Sequence, residues 1–175
     1  MKQNIILLII LLTPFLCFPQ NEKIEIKIVN KPNDTIKVLL TPILKLPFEN
    51  FVKDSKLYNL NLDNLHDLHS IVFSNVIIYY TGSEGLGLTL SQKDFPNIIF
   101  INDKILFPEI IEITLYHELV HQITQNDSHC DDKGCPLLFS SNANNISDGK
   151  KVYIELLYNW EKHKRNFFEY LKKVG

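Results

Sequence analysis

Apolar and charged residues alternate with a period of two in Lys23-Ile24-Glu25-Ile26-Lys27-Ile28, which puts every isoleucine on one face and predicts a half-buried strand. The cluster Asn30-Lys31-Pro32-Asn33-Asp34 is a turn, and residues 35–40 read as the partner strand. Between positions 48 and 69 the apolar residues Phe51, Leu57, Leu60, Leu65 and Leu68 fit one or two short helices, interrupted by Asn59, Asn61 and Asn64. Residues 70–81 are rich in Val, Ile, Phe and Tyr and predict a central strand. Gly82-Ser83-Glu84-Gly85-Leu86-Gly87 breaks that strand, and residues 97–102 form another around Ile98-Ile99-Phe100-Ile101. The glycines of 82–87 precede no helix signal and make no phosphate loop; residues 82–90 fit a plain hairpin connection.

A helix is expected to begin at Pro108, because a fixed backbone torsion and a missing N–H suit the first helical turn. Glu109 and Glu112 then oppose the positive end of the helix dipole. Ile110, Ile111, Ile113, Leu115, Leu119, Val120 and Ile123 surround most of its circumference, so this helix should be buried centrally. Residues 148–174 read as a long closing helix, capped by Ser147 or Asp148. Its stripe of Ile154, Leu157, Trp160, Phe167, Phe168 and Leu171 should pack in the core, although adjacent Phe167 and Phe168 cannot share a face and one of them could serve a docking surface. The expected class is α/β (α+β), with a twisted mixed sheet, a buried helix beneath it and a C-terminal helix.

Composition places the 175 residues in one globular domain: 45% are hydrophobic and 22% charged. A formal charge of -2, from 18 basic and 20 acidic side chains, offers no field for nucleic acid or an anionic membrane. Residues 1–20 read as an export signal, with a positive start at Met1-Lys2 and an unbroken apolar run over 5–12, too short for a spanning helix. Phe18-Pro19-Gln20 lacks a small-x-small cleavage pattern, so the domain is taken as 21–175 from the shift to polar sequence at Gln20-Asn21. A retained N-terminal anchor and a lipid on Cys17 are the alternatives, the latter preceded by the large residues Pro14-Phe15-Leu16. The mature chain is expected to be secreted or periplasmic and monomeric, with no membrane span and no long propeptide. Outside the cytoplasm Cys130 and Cys135 can close a small disulfide loop, whereas two cysteines make only half of a structural zinc site.

The candidate chemistry lies in His117-Glu118-Leu119-Val120-His121, an H-E-x-x-H motif within the buried helix. Histidines four apart share one helix face, so both imidazoles can meet one zinc ion while Glu118 holds a water beside it. Chance places such a motif in a chain of this composition only about 1% of the time. A catalytic zinc needs a third protein ligand and one open position. His129 and Asp127 in the following polar loop, and Glu155 on the closing helix, are the candidates. His66 and His69, three apart, read as a solvated or hydrogen-bonded pair rather than a second site.

Residues 117–140, HELVHQITQNDSHCDDKGCPLLFS, resemble the active-site region of the metzincin zinc metallopeptidases, most of all the archaemetzincin branch, where a His-Cys pair is followed by four residues, a second Cys and x-Met-x-Phe-Ser. His129-Cys130, Cys135 and Leu137-Leu138-Phe139-Ser140 stand in those places. The family spaces its second and third histidines by two residues, a glycine and two more. Here seven residues intervene, 122–128, with Thr124 at the glycine position and Asp127 in the register of the third ligand. A chain without that glycine is expected to need more loop to turn back, and two extra residues supply it. Leu137 replaces the methionine that floors the family's zinc site, and no cysteines for a second zinc occur.

The resemblance implies a small metzincin-like zincin domain holding one Zn2+ through His117, His121 and His129. Glu118 would be the general base of peptide-bond hydrolysis on a peptide or protein substrate. Some metzincins stabilise the oxyanion with a tyrosine, a role Tyr153 could take unless it is simply a core or surface aromatic. An edge strand before the family's active-site helix binds extended substrate, so residues 82–90 could flank the cleft rather than form a plain hairpin connection. Two other function classes fit the same residues: an exported zinc-binding or interaction module without turnover, which would not require Glu118, and a hydrolase of non-peptide amides.

Overall fold

A computed structural model of the chain describes residues 23–75, 85–92 and 95–126, with positions 162, 164, 165, 168, 169, 171 and 172 near the C-terminus. β1 (Ile24–Val29) and β2 (Thr35–Leu40) form the expected antiparallel hairpin, with Ile24 opposite Leu40 and Val29 opposite Thr35. Asn33 takes φ 67° in its turn, a conformation that asparagine tolerates. Lys31 and Asn30 both bond the carboxylate of Asp63 at 2.7 Å, which ties the hairpin to the next layer.

The apolar stretch after β2 resolves into three pieces. A 3₁₀ turn at Pro42–Leu44 leads into α1 (Lys45–Leu57), a second 3₁₀ turn spans Asp63–Asp67, and β3 (Leu68–Phe73) starts two residues ahead of the expected strand. The helix ends where Asn59 takes φ 55°, so the asparagines that interrupted the pattern mark a real break. The expected strand's residues 76–81 lie outside the described residues. β4 (Gly87–Gln92) and β5 (Phe95–Ile101) pair antiparallel, and the sheet order is β1-β2-β3-β5-β4. β2, β3 and β5 are parallel and the outer strands antiparallel, a mixed sheet as expected.

α2 (Pro108–Thr124) begins at the expected proline and packs with α1 on one face of the sheet. The opposite face of the hairpin carries exposed Glu25, Lys27 and Lys37. Two cross-links fix how the helices run. Asn50 donates to Glu112 at 3.0 Å and the Tyr116 hydroxyl to Asp54 at 2.9 Å, both spanning 62 residues, so the helices run parallel in register. Both start beyond the C-terminal ends of β2, β3 and β5. At the far end Gln122 accepts from Asn97 at 3.0 Å and donates to the Asn64 carbonyl at 2.7 Å, while the Asn64 side chain caps Ile123 O.

The core lies between helices and sheet. Phe51 and Tyr116 meet edge-to-face at 5.1 Å, and Phe168 packs on Phe51, Tyr116 and the stacked ring of Tyr58. The described residues of 162–172 are helical, and Phe168 and Leu171 are buried, so this part of the closing helix is core. Phe51→Ala should cost about 3–5 kcal/mol through the cavity left between the two helices. Chemical denaturation of the variant, with the midpoint lowered and the slope unchanged, is the check.

Candidate metal centre

Every residue of α2 from 113 to 122 is buried, including His117, Glu118, His121 and Gln122. Polar side chains on such a helix need partners, because an uncompensated buried polar group costs about 1–3 kcal/mol. The two histidines meet each other across one turn, Nε2 to Nε2, at 3.1 Å with their rings inclined by 80°. Two nitrogen ligands on a tetrahedral zinc stand roughly 3.3 Å apart, from bond lengths of about 2.0–2.1 Å, so this pair already has the spacing of two ligands.

The helix end sets the chemistry of His121. Gln125 adopts the left-handed conformation, φ 52° and ψ 36°, one residue beyond the position where the resemblance places glycine. The sharp turn expected to require glycine or added loop is thus made by glutamine, helped by side chains that bond the last carbonyls: Thr124 Oγ1 to Val120 O at 2.7 Å and Gln125 Nε2 to Gln122 O at 2.6 Å. The turn carries the Asn126 carbonyl back to His121 Nδ1 at 2.6 Å. A carbonyl accepts only, so Nδ1 bears the proton and Nε2 keeps its lone pair for a metal, the usual arrangement of a metal-binding histidine.

Glu118 faces β4 instead. Thr89 Oγ1 lies 2.7 Å from its Oε2 and 3.1 Å from its main-chain carbonyl, which leaves Oε1 on the side of Gly87. A β-carbon on Gly87 would fall 2.5 Å from Glu118 Oε1 and 2.8 Å from Thr114 Cγ2, so only a bare backbone fits there. Burial pushes the Glu118 carboxyl up to about 7, opposed by hydrogen bonds from Thr89. A carboxyl at that value exchanges a proton near neutrality. Beside His121 a cavity of about 40 Å³, lined by Thr89, Ser91, Gln122 and Gln125, has room for one water.

His129, Asp127, Glu155, Tyr153, Cys130 and Cys135 lie outside the described residues, as does Cys17. Among the described residues, no group of three His, Cys, Asp or Glu side chains forms a metal site. His66 is paired, its Nε2 at 3.0 and 3.1 Å from the two carboxylate oxygens of Asp34, while exposed His69 points from β3. Sequence reasoning missed Gly87 and Thr89. Their signal was the alternation Gly87-Leu88-Thr89-Leu90-Ser91, which sets small residues on one face of a strand, as a close neighbour requires.

No family model, curated protein or solved structure matches the chain.

Gly87→Ala should cost about 1–3 kcal/mol and displace the Glu118 carboxylate, since neither backbone nor carboxylate can yield without breaking the Thr89 contact. Thermal melting of the variant reads the loss, which Gly87→Ala combined with Glu118→Ala should restore only in part, because the clash with Thr114 Cγ2 at 2.8 Å remains. A second expectation concerns pH in chelator-treated protein. The folded-state value of about 7 lies above the ordinary 4.5, so the carboxyl favours folding in its protonated form. That contribution is complete below pH 4.5 and is lost as pH rises to about 7, a decline of roughly 3 kcal/mol. Wild type should therefore lose stability relative to Glu118→Gln over this interval, with parallel curves above it.

Proposed function

We propose that the chain is an exported zinc-dependent metallopeptidase. The observation that carries this is the pairing of two inward Nε2 atoms at 3.1 Å with a buried, Thr89-held carboxylate on the next residue. His117 and His121 would hold the zinc, with His129 as the expected third ligand ahead of Asp127 and Glu155. When bound, zinc would supply Lewis-acid activation of a water molecule and of the scissile carbonyl.

The remaining steps belong to this chain's own groups. Asn126 O fixes the His121 tautomer, so that ring ligates as a neutral donor. The Thr89 hydroxyl engages one carboxylate oxygen of Glu118 and leaves the other for proton transfer. Glu118 accepts a proton from the attacking water as the new C–O bond forms, then returns it to the amine nitrogen as the C–N bond breaks. β4 supports a peptide substrate in particular: among the described residues it is the last strand of the sheet, pairs with β5 along one side, and lies directly against the helix that bears Glu118. An extended chain can add to such an edge by main-chain hydrogen bonds and pass its carbonyls along the site.

Purified protein should contain one zinc per chain by elemental analysis and cleave unstructured polypeptide, with cleavage abolished by a chelator and restored by zinc. Glu118→Gln should retain the metal and lose at least about 100-fold in kcat. Stoichiometric zinc without cleavage by wild type would assign a binding module instead, and absence of zinc would overturn the metal centre itself.

A further inference from the structure

Four large apolar side chains are exposed at one end of the molecule: Leu106 (84%), Leu46 (65%), Phe107 (64%) and Ile43 (51%). The topology brings them together. Ile43 follows β2, and Leu106 and Phe107 follow β5, so both segments leave the same end of a parallel pair of strands. The register of 62 between α1 and α2, set by Asn50–Glu112 and Asp54–Tyr116, puts Leu46 beside Pro108 and hence next to Phe107. Thr114 lies at the level of Gly87, the first residue of β4, so the first turns of α2 project past the sheet. Among the described residues the result is an apolar tip at a pair of helix N-termini.

A second observation bears on what could cover it. β1 runs antiparallel to β2, and Ile24 pairs with Leu40, three residues before Ile43. The polypeptide therefore enters the domain at the same end, from a segment that carries the apolar run 5–12 and Cys17. Ten residues separate that run from Lys23, a reach of at most about 35–40 Å, and the five between Cys17 and Lys23 reach about 20 Å.

We propose that this tip rests on a lipid bilayer, with Ile43, Leu46, Leu106 and Phe107 set into the headgroup–acyl boundary and the domain held there by the apolar segment preceding Lys23. The inference is independent of the zinc assignment and takes the anchored N-terminus over a removed leader. No helix among the described residues is long and apolar enough to cross a membrane, so the contact is superficial. Around the tip Lys45 and Lys104 are matched by Glu49, Asp103 and Glu109, so the attraction is apolar and needs no anionic lipid. His117 and His121 stand nine and thirteen residues into α2, roughly 14 and 20 Å from its start, and clear the surface.

The test uses the full chain on phosphatidylcholine vesicles whose acyl chains carry bromine, a short-range quencher of tryptophan. Phe107→Trp and Leu57→Trp place reporters at the tip and at the far end of α1, both at exposed positions that tolerate the ring; the wild-type signal of Trp160 is subtracted. The expected result is that the Phe107→Trp reporter loses roughly half its emission or more, while Leu57→Trp is unaffected. Equal quenching of both reporters, quenching of neither on vesicle-bound protein, or failure of the chain to float with vesicles overturns the proposal. Cys17→Ser separates the two sources of attachment: flotation kept assigns it to residues 5–12, and flotation lost to an acylated Cys17, the tip's quenching pattern being required in the bound protein either way.

Discussion

The structure depends on one constraint: α2 is buried on every side yet carries two histidines, a glutamate and a glutamine. Ten consecutive buried residues remove those side chains from water, and each must recover its lost hydration from a neighbour. Gln122 recovers it from Asn97 and Asn64, which fastens the helix to β5 and to the turn before β3. The two histidines meet at Nε2, His121 recovers it at Nδ1 from the helix end, and Glu118 from Thr89. The polar contacts that orient the site are thus the same contacts that seat the helix.

This dual use explains why the helix shows so little amphipathic character and so much local specificity. Hydrophobic burial alone would hold α2 under the sheet in several rotations, since apolar side chains occur all around it. Asn50 on Glu112, Asp54 on Tyr116, Asn97 on Gln122 and Thr89 on Glu118 each accept one rotation only. Polar pairs in the interior select among packings that the apolar contacts leave nearly equal in energy.

The parts of the fold written in local pattern were legible in the sequence. The β1–β2 hairpin, the Pro108 start of α2 and the motif on its buried face follow from periodicity, turn residues and a proline, all of which act over a few positions. The extent of α1 was not legible, because the apolar residues of 48–69 divide between α1 and the 3₁₀ turn Asp63–Asp67 and the helix starts ahead of them at Lys45. β4 was hidden for a different reason: its first residue belongs to the glycine-rich stretch 82–87, which reads as a break, and Gly87 and Thr89 are small where Glu118, distant in sequence, lies against them. The candidate third ligands His129, Asp127 and Glu155 lie outside the described residues.

The helix terminus at Gln125 has a consequence beyond geometry. A single left-handed residue directs the Asn126 carbonyl onto His121, and that carbonyl dictates which ring nitrogen carries the proton. Backbone conformation at one position is in this way converted into the electronic state of an imidazole four residues earlier. Whatever straightens that turn would remove the acceptor at Nδ1 and leave the proton free to occupy either ring nitrogen, with the side chain still in place.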